Sequence, residues 1–168
     1  MDRIERFEDI RAWQAARELN RRIYEITRRN DFARDRGLAI QIQRASVSIM
    51  SNIAEGFERG SLTEFRQYLS ISKGSCAEVR SLLYAAKDVG YIDQPTFDTV
   101  MASAQAAGRL IGALRKSIDV KVRSINEEVP SYRIEPLGPE LLTVRESRIQ
   151  SEDSATWRYL DEADDQHE

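Results

Sequence analysis

Hydrophobic residues recur every three or four positions through most of the first 118 residues, which is the spacing of one buried face on an α-helix. No part of this region alternates hydrophobic and polar residues over a long stretch, as a half-buried strand would. Four segments carry the helical spacing, and they cover about 7–29, 38–54, 61–90 and 93–118. Because the connections between them are short, we predict an all-α, antiparallel, up-down-up-down four-helix bundle.

The third segment has the longest hydrophobic stripe, whose members step alternately by four and three residues. They are Phe65, Leu69, Ser72, Cys76, Val79, Leu83 and Ala86. Ser61 and Glu64 fit a capping box, in which the serine oxygen accepts a hydrogen bond from the Glu64 amide. Gly56 and Gly60 bracket the turn before this helix, where we expect the left-handed backbone that helix ends favour.

A second stripe, mostly polar, runs beside the apolar face of both the second and the third helix. It comprises Gln41, Ser48, Asn52, Glu55 and Arg59 on the second helix, and Glu64, Tyr68, Ile71, Ser75 and Glu78 on the third. Two helices with two stripes each have more surface to bury than a lone bundle requires. We therefore predict self-association in which polar groups fix the register. The predicted interface residues are Gln41, Ser48, Asn52, Glu55, Arg59, Glu64, Ser75 and Glu78. A monomeric bundle with polar edges is the alternative.

The formal net charge of −3 averages two unlike parts of the chain. Residues 1–118 carry 19 Lys and Arg against 15 Asp and Glu, whereas residues 119–168 carry 6 against 13. We therefore expect a basic bundle domain over 1–118 and an irregular, acidic extension over 119–168. Prolines at 130, 136 and 139 exclude a continuous helix around them, and 120–125 is compatible with an extended piece.

Trp157, Tyr159 and Leu160 are out of place in such an acidic, polar segment. Either they dock on the bundle or on a partner protein, as short amphipathic recognition segments do, or their presence is incidental. The docking interpretation makes the extension a device that recruits or masks a partner.

The first helix is rich in arginine on its polar face. These residues are Arg11, Arg17, Arg21, Arg22, Arg28 and Arg29. Arginine suits phosphate because its planar guanidinium can donate two parallel hydrogen bonds. We therefore predict that this face binds a nucleic-acid backbone, without sequence specificity and with a strong dependence on salt. A solvated helix face is the alternative, since no known nucleic-acid-binding motif accompanies the arginines.

The chain offers little material for catalysis. Its only histidine is His167 and its only cysteine is Cys76, so one chain cannot assemble a histidine-centred triad, a zinc site or a disulfide. No glycine-rich phosphate loop is present, and the carboxylates Glu55, Glu64 and Glu78 have arginines near them in the sequence. We predict that the protein is not an enzyme and needs no metal or cofactor. We also expect no signal peptide, no membrane span and a reducing, cytoplasmic location.

Several short motifs lie within residues 7–118. They are FEDIRAW at 7–13, RASVSI at 44–49, SNIAEGF at 51–57, RGS at 59–61, EF at 64–65, and GS at 74–75 with Glu78. These motifs resemble the bacterial four-helix-bundle proteins encoded in 23S rRNA intervening sequences, a family related to the accessory variability proteins of diversity-generating retroelements. The resemblance implies a four-helix bundle that assembles as a homopentameric ring. For the retroelement branch it also implies binding to a reverse transcriptase and to nucleic acid through basic surfaces.

The residues that match the family's motifs are given structural or interface roles by the resemblance. They are Asn52, Glu55, Gly56, Arg59, Glu64 and Glu78. The chain departs from the family at Met50, where the family usually has proline, and in the extension 119–168.

The leading functional hypothesis is a non-enzymatic homo-oligomeric scaffold. It would bind RNA, DNA or a nucleic-acid-processing protein such as a reverse transcriptase through its arginine-rich faces. The alternative is a protein interaction or regulatory module without nucleic-acid binding, whose acidic tail recruits or masks a partner. A third hypothesis is an enzyme that uses Glu55, Glu64 and Glu78 with a metal ion. It is disfavoured because carboxylates would be the only side chains available to bind the metal.

Overall fold

The computed structural model describes residues 4–128, except for the side chains of residues 30 and 125–128. Within this range the chain forms four α-helices and no strand, so the predicted all-α class is confirmed. Short 3-10 helices occur at Phe7–Asp9 and Asn30–Ala33. The α-helices are α1 (Arg11–Thr27), α2 (Arg36–Glu58), α3 (Leu62–Asp88) and α4 (Gln94–Glu128). The expectations for Trp157, Tyr159 and Leu160 lie outside the described residues.

Each helix packs against two neighbours, which closes the four helices into a bundle. α2 contacts α1 and α3, α3 contacts α4, and α4 returns to contact α1. Because each helix contacts the one that follows it in the chain, and the connections are short, the order is up-down-up-down as predicted. One continuous hydrophobic core runs along the bundle and contains residues of every helix.

The predicted stripe of α3 is buried along its whole length, from Phe65 to Ala86. Its one hydroxyl residue, Ser72, is fully buried and donates a hydrogen bond to the Ile49 carbonyl of α2 at 3.0 Å. Cys76 is also buried, and burial raises the pKa of its thiol to about 11. Both residues therefore belong to the packing of α3 rather than to a reactive site.

Side-chain caps explain where the later helices begin. Asp35 accepts a hydrogen bond from the Leu38 amide at 3.0 Å, so α2 starts at Arg36, slightly earlier than expected. Ser61 caps α3 by accepting from the Glu64 amide at 3.5 Å, as the capping-box motif predicted. Asp93 caps α4 by accepting from the Thr96 amide at 2.9 Å, and its hydrogen bonds with Thr96 lower the pKa of Asp93.

The expectation that both Gly56 and Gly60 form the turn between α2 and α3 is wrong for Gly56. Gly60 has a φ of +68° and ends α2, as predicted. Gly56 lies inside α2 and is buried, where an added Cβ would stand 2.6 Å from Tyr68 Cβ and 2.9 Å from Phe65 Cδ2. Its role is therefore to let α2 and α3 approach closely.

The expected end of the fourth helix at Ile118 is also wrong, as is the extended piece at 120–125. α4 continues to Glu128, because no proline or glycine interrupts the sequence between Gly112 and Pro130. Val122, one turn after Ile118, packs against the hydrophobic core and continues the stripe. Asp119 adds an ion pair to α3, with its oxygen 3.2 Å from Arg66 Nη1.

We predict that Gly56→Ala destabilises the fold by about 1–3 kcal/mol, because the new methyl group forces α2 away from α3. Gly74→Ala is the matched control, since Gly74 also lies inside a helix but an added Cβ there meets nothing within 4 Å. It should stabilise the protein by about 0.5–1 kcal/mol, through helix propensity alone. Urea unfolding midpoints measure both changes. Equal effects of the two substitutions would show that the close contact is not required.

Candidate nucleic-acid interface

The six predicted arginines form two rows on α1 and the residues just after it. Arg17, Arg21 and Arg28 follow each other at intervals of four and seven residues, so they share one face of the helix. Arg11 and Arg22, eleven residues apart, share another face, and Arg29 follows the end of the helix. All six are exposed except Arg22, which is half-buried. The structure thus spreads the arginines over two flanks instead of one patch.

Two glutamates on α1 compensate part of this charge. Glu18 accepts hydrogen bonds from Arg21 at 2.6 and 2.9 Å and from Arg22 at 2.9 Å, while Glu25 also pairs with Arg21. The nearby guanidinium groups, that of Arg21 above all, lower the pKa of Glu18 to about 2. Glu18 therefore stays ionised at any physiological pH and holds Arg21 and Arg22 along the helix surface.

Arg17 and Arg28 are positioned by aromatic rings. The Arg17 guanidinium carbon lies 5.8 Å from the centre of the Trp13 ring, and that of Arg28 lies 5.4 Å from the centre of the Tyr24 ring. A cation–π contact of this kind attracts the guanidinium to the ring and leaves N–H groups for an acceptor. These two arginines are therefore the members of the predicted set best placed to meet a phosphate.

The polar stripes of α2 and α3 face each other within the same chain. The hydroxyl oxygens of Ser48 and Ser75 are 3.0 Å apart, and Asn52 Nδ2 donates to the Ser48 hydroxyl at 3.0 Å and to the Ser48 carbonyl at 2.7 Å. Near the α2–α3 turn, Tyr68 donates its hydroxyl proton to Glu55 at 2.7 Å. We call this α2–α3 contact the polar seam.

Arg59 completes the polar seam at the end of α2. It donates to Glu55 at 2.8 Å and to Glu64 at 3.3 Å, and its guanidinium lies 5.2 Å from the centre of the Tyr68 ring. The bond from Arg59 first, and that from Tyr68 second, lower the pKa of Glu55, while the bond to Glu55 raises the pKa of Tyr68. The Glu55 carboxylate therefore serves as an acceptor, which does not suit a proton donor in acid–base chemistry.

Six of the eight predicted interface residues thus have hydrogen-bond partners in their own chain, namely Ser48, Asn52, Glu55, Arg59, Glu64 and Ser75. Gln41 and Glu78 are exposed on the outer surfaces of α2 and α3. A role of these eight residues in a subunit interface stays a prediction. Within one chain, the two polar stripes already bury part of their surface against each other. The polar stripes therefore do not require a second copy of the chain to partner them.

A shallow groove between α1 and α2 brings apolar and basic groups together. It is lined by Tyr24, Ile40, Gln43, Arg44, Val47 and Ser48. Ile40 and Val47 lie two turns apart on α2, with exposed fractions of 48% and 39%.

Among residues 4–128, no three histidine, cysteine or carboxylate side chains are grouped so as to hold a metal ion. Nor is any helix in this range both long and apolar enough to cross a membrane.

Sequence reasoning overlooked the cations of the third and fourth helices. The signal was a repeat of seven residues in the positions of lysine and arginine. The repeat runs through Arg66, Lys73, Arg80 and Lys87 on α3, and through Arg109, Lys116 and Arg123 on α4. This basic repeat has the same length as the apolar repeat of α3, so it follows the same helix beside the buried stripe.

The comparisons with known proteins concern the bundle. The family model of the 23S rRNA-intervening sequence proteins matches residues 8–113. A crystal structure of a protein of unknown function from the S23 ribosomal protein family of Bacteroides thetaiotaomicron is similar to this chain, with a TM-score of 0.59 and 20% sequence identity. The similarity covers 62% of this chain and 95% of the other, and at this identity it supports the fold alone. No curated protein matches the chain.

Proposed function

The chain belongs to the family of 23S rRNA-intervening sequence proteins, and we propose that it is a non-enzymatic, self-associating helical scaffold that binds RNA through its arginine-bearing faces. The observation that carries the RNA-binding half is the placement of Arg17 and Arg28 over Trp13 and Tyr24. Both arginines are exposed, and each guanidinium lies against an aromatic ring, which restricts its side chain. Less side-chain entropy is then lost when a phosphate binds.

The expected mode of binding is contact with the sugar-phosphate backbone. Arginines spread along two flanks of a helix offer no side chains arranged to read base edges, whereas phosphates repeat along any strand. Binding of this kind releases counterions and weakens steeply as salt is added. DNA would compete with RNA for the same groups. A reverse transcriptase as a protein partner stays a prediction of the family resemblance.

A triple variant should bind single-stranded RNA at least tenfold more weakly at low salt. Its substitutions are Arg17→Gln, Arg28→Gln and Arg29→Gln. The slope of log affinity against log salt should become shallower by about 2, because three phosphate contacts are lost. Fluorescence anisotropy with the full chain measures both quantities.

The matched control is Arg6→Gln, Arg34→Gln and Arg36→Gln, which removes the same charge from exposed arginines that are not in the predicted set. This control should keep most of the affinity. If the two triple variants lose the same amount of RNA affinity, the effect comes from net charge alone. If the variant at Arg17, Arg28 and Arg29 binds RNA as the wild type does, the proposed role of these arginines is refuted.

Self-association is supported by exposed apolar side chains rather than by the polar seam. Ile40 and Val47 lie on the outer face of α2, and Ile71, with an exposed fraction of 52%, lies on α3 one turn from Ser75. Large aliphatic groups of this kind gain by burial in an interface between copies. A ring or cluster of subunits would also present several arginine faces to one RNA, which strengthens binding by avidity.

A triple variant of the full chain should sediment as a monomer at micromolar concentration, whereas the wild type sediments as an oligomer. Its substitutions are Ile40→Ser, Val47→Ser and Ile71→Ser. The physical reason is the loss of about 25 cal/mol for each Å² of apolar surface that the contact would bury. Val89→Ser with Val120→Ser is the control, since these exposed valines lie elsewhere, and it should leave the oligomer intact. A wild-type chain that sediments as a monomer would contradict the proposal.

A further inference from the structure

The cations that repeat every seven residues on α3 and α4 form two straight rows. Seven residues are close to two helical turns, so each row follows one flank of its helix with a spacing of about 10 Å. The α3 row is Arg66, Lys73, Arg80 and Lys87, and the α4 row is Arg109, Lys116 and Arg123. All are exposed except Lys87, which is half-buried with its ammonium 4.7 Å from the centre of the Phe97 ring.

Three contacts between α3 and α4 place members of the α3 row, and the part of α4 that carries Lys116, beside the groove between the two helices. Arg66 pairs with Asp119 of α4 at 3.2 Å, and Asp119 is three residues from Lys116. Arg115 Nη1 lies 3.4 Å from the Ser70 hydroxyl of α3. The Lys73 ammonium lies over α4 at Gly112, only 3.2 Å from where a Cβ would stand. We call the surface bounded by the two rows the basic groove.

The basic groove keeps more of its positive charge than α1 does. On α1, Glu18 and Glu25 bind Arg21 and Arg22. In the basic groove, the ion pair found among the described residues is the one between Asp119 and Arg66. The remaining cations are therefore available to an anion from solvent, at a cost in desolvation that is small because they are exposed.

Several small residues lie between the two rows. Ser70 and Ala77 lie between the cations of α3, and Gly108 and Gly112 lie on the facing side of α4. At Gly108 the helices are close enough that an added Cβ would stand 3.8 Å from Cys76 Cβ. The two helices therefore pack closely between the rows.

We propose that the basic groove binds the phosphate backbone of a nucleic-acid strand laid along α3 and α4. The ligand class rests on the proposed function, but the site is a different one, on the side of the bundle away from α1. A single strand carries one phosphate per nucleotide along its whole length, so a straight row of cations about 10 Å apart can meet phosphates repeatedly. A regular repeat of charge along the whole groove suits a regular polymer. The acidic cluster at 161–165 of this chain, five residues long, would match only a small part of it.

The lysines of the chain allow a direct test. The sequence contains four, Lys73, Lys87, Lys116 and Lys121, of which the first three border the basic groove. Lys121 is the internal control, because it lies on the flank of α4 away from the α4 row. The six arginines of α1 carry no amine that the reagent can modify, so RNA bound at α1 alone leaves the pattern unchanged.

The experiment is acylation of the full chain by an amine-reactive reagent, with and without a single-stranded oligouridine RNA, followed by mass spectrometry. We expect RNA to lower the reaction rates of Lys73 and Lys116 severalfold and to leave Lys121 unchanged. DNA of matched length should protect the same lysines, since the contacts are to phosphate. The variant with Lys73→Gln, Arg80→Gln and Lys116→Gln should show a salt slope shallower by about 2.

Each other outcome overturns the proposal in a distinguishable way. RNA that binds and depends on α1 but protects neither Lys73 nor Lys116 would refute the basic groove and leave the proposed function standing. No binding of RNA or DNA at low salt would refute both. A third outcome is that Lys73 and Lys116 react slowly with the reagent even without RNA, and react faster when the acids at 161–165 are replaced by amides. This outcome would show that the chain's own acidic segment occupies the groove.

Discussion

The close contact between α2 and α3 is the constraint on which the rest of the structure depends. Gly56 brings the two backbones together against Tyr68 and Phe65, and Ser72 bonds to the Ile49 carbonyl in the middle of the same contact. This packing fixes how the helices are rotated and how far they are shifted along each other. Because the rotation of α3 is fixed, its apolar stripe faces the core, its polar stripe meets α2, and its row of cations is left beside α4.

The elements with a strong local signal were predictable from sequence. The stripe from Phe65 to Ala86 was found because every member obeys one repeat, and Ser61 was found because its cap is made by residues three apart. Charge does not predict the end of α4, because the composition becomes acidic after Ile118 although the apolar stripe continues to Val122. Helix-breaking residues, rather than charge, decide where a helix stops.

The partner of a polar stripe could not be predicted, because a sequence does not say what a surface meets. The same spacing that brings Ser48 to Ser75 within a chain would also suit a contact between chains. Gly56 was misplaced for a related reason, since its tight contact is with a residue twelve positions away. Once the polar seam is assigned to one chain, the surfaces left for partners are the arginines of α1, the exposed aliphatic groups of α2 and α3, and the basic groove.

Closure of the polar seam within one chain decides which surfaces remain for partners, and the pKa of Glu55 reports this closure directly. NMR titration of its side chain should give a value below the ordinary one at high and low protein concentration alike. The value should rise in Tyr68→Phe, which loses one donor, and stay unchanged in the control Tyr84→Phe. A Glu55 pKa that returns to its ordinary value on dilution, or that ignores the loss of the Tyr68 hydroxyl, would contradict the account.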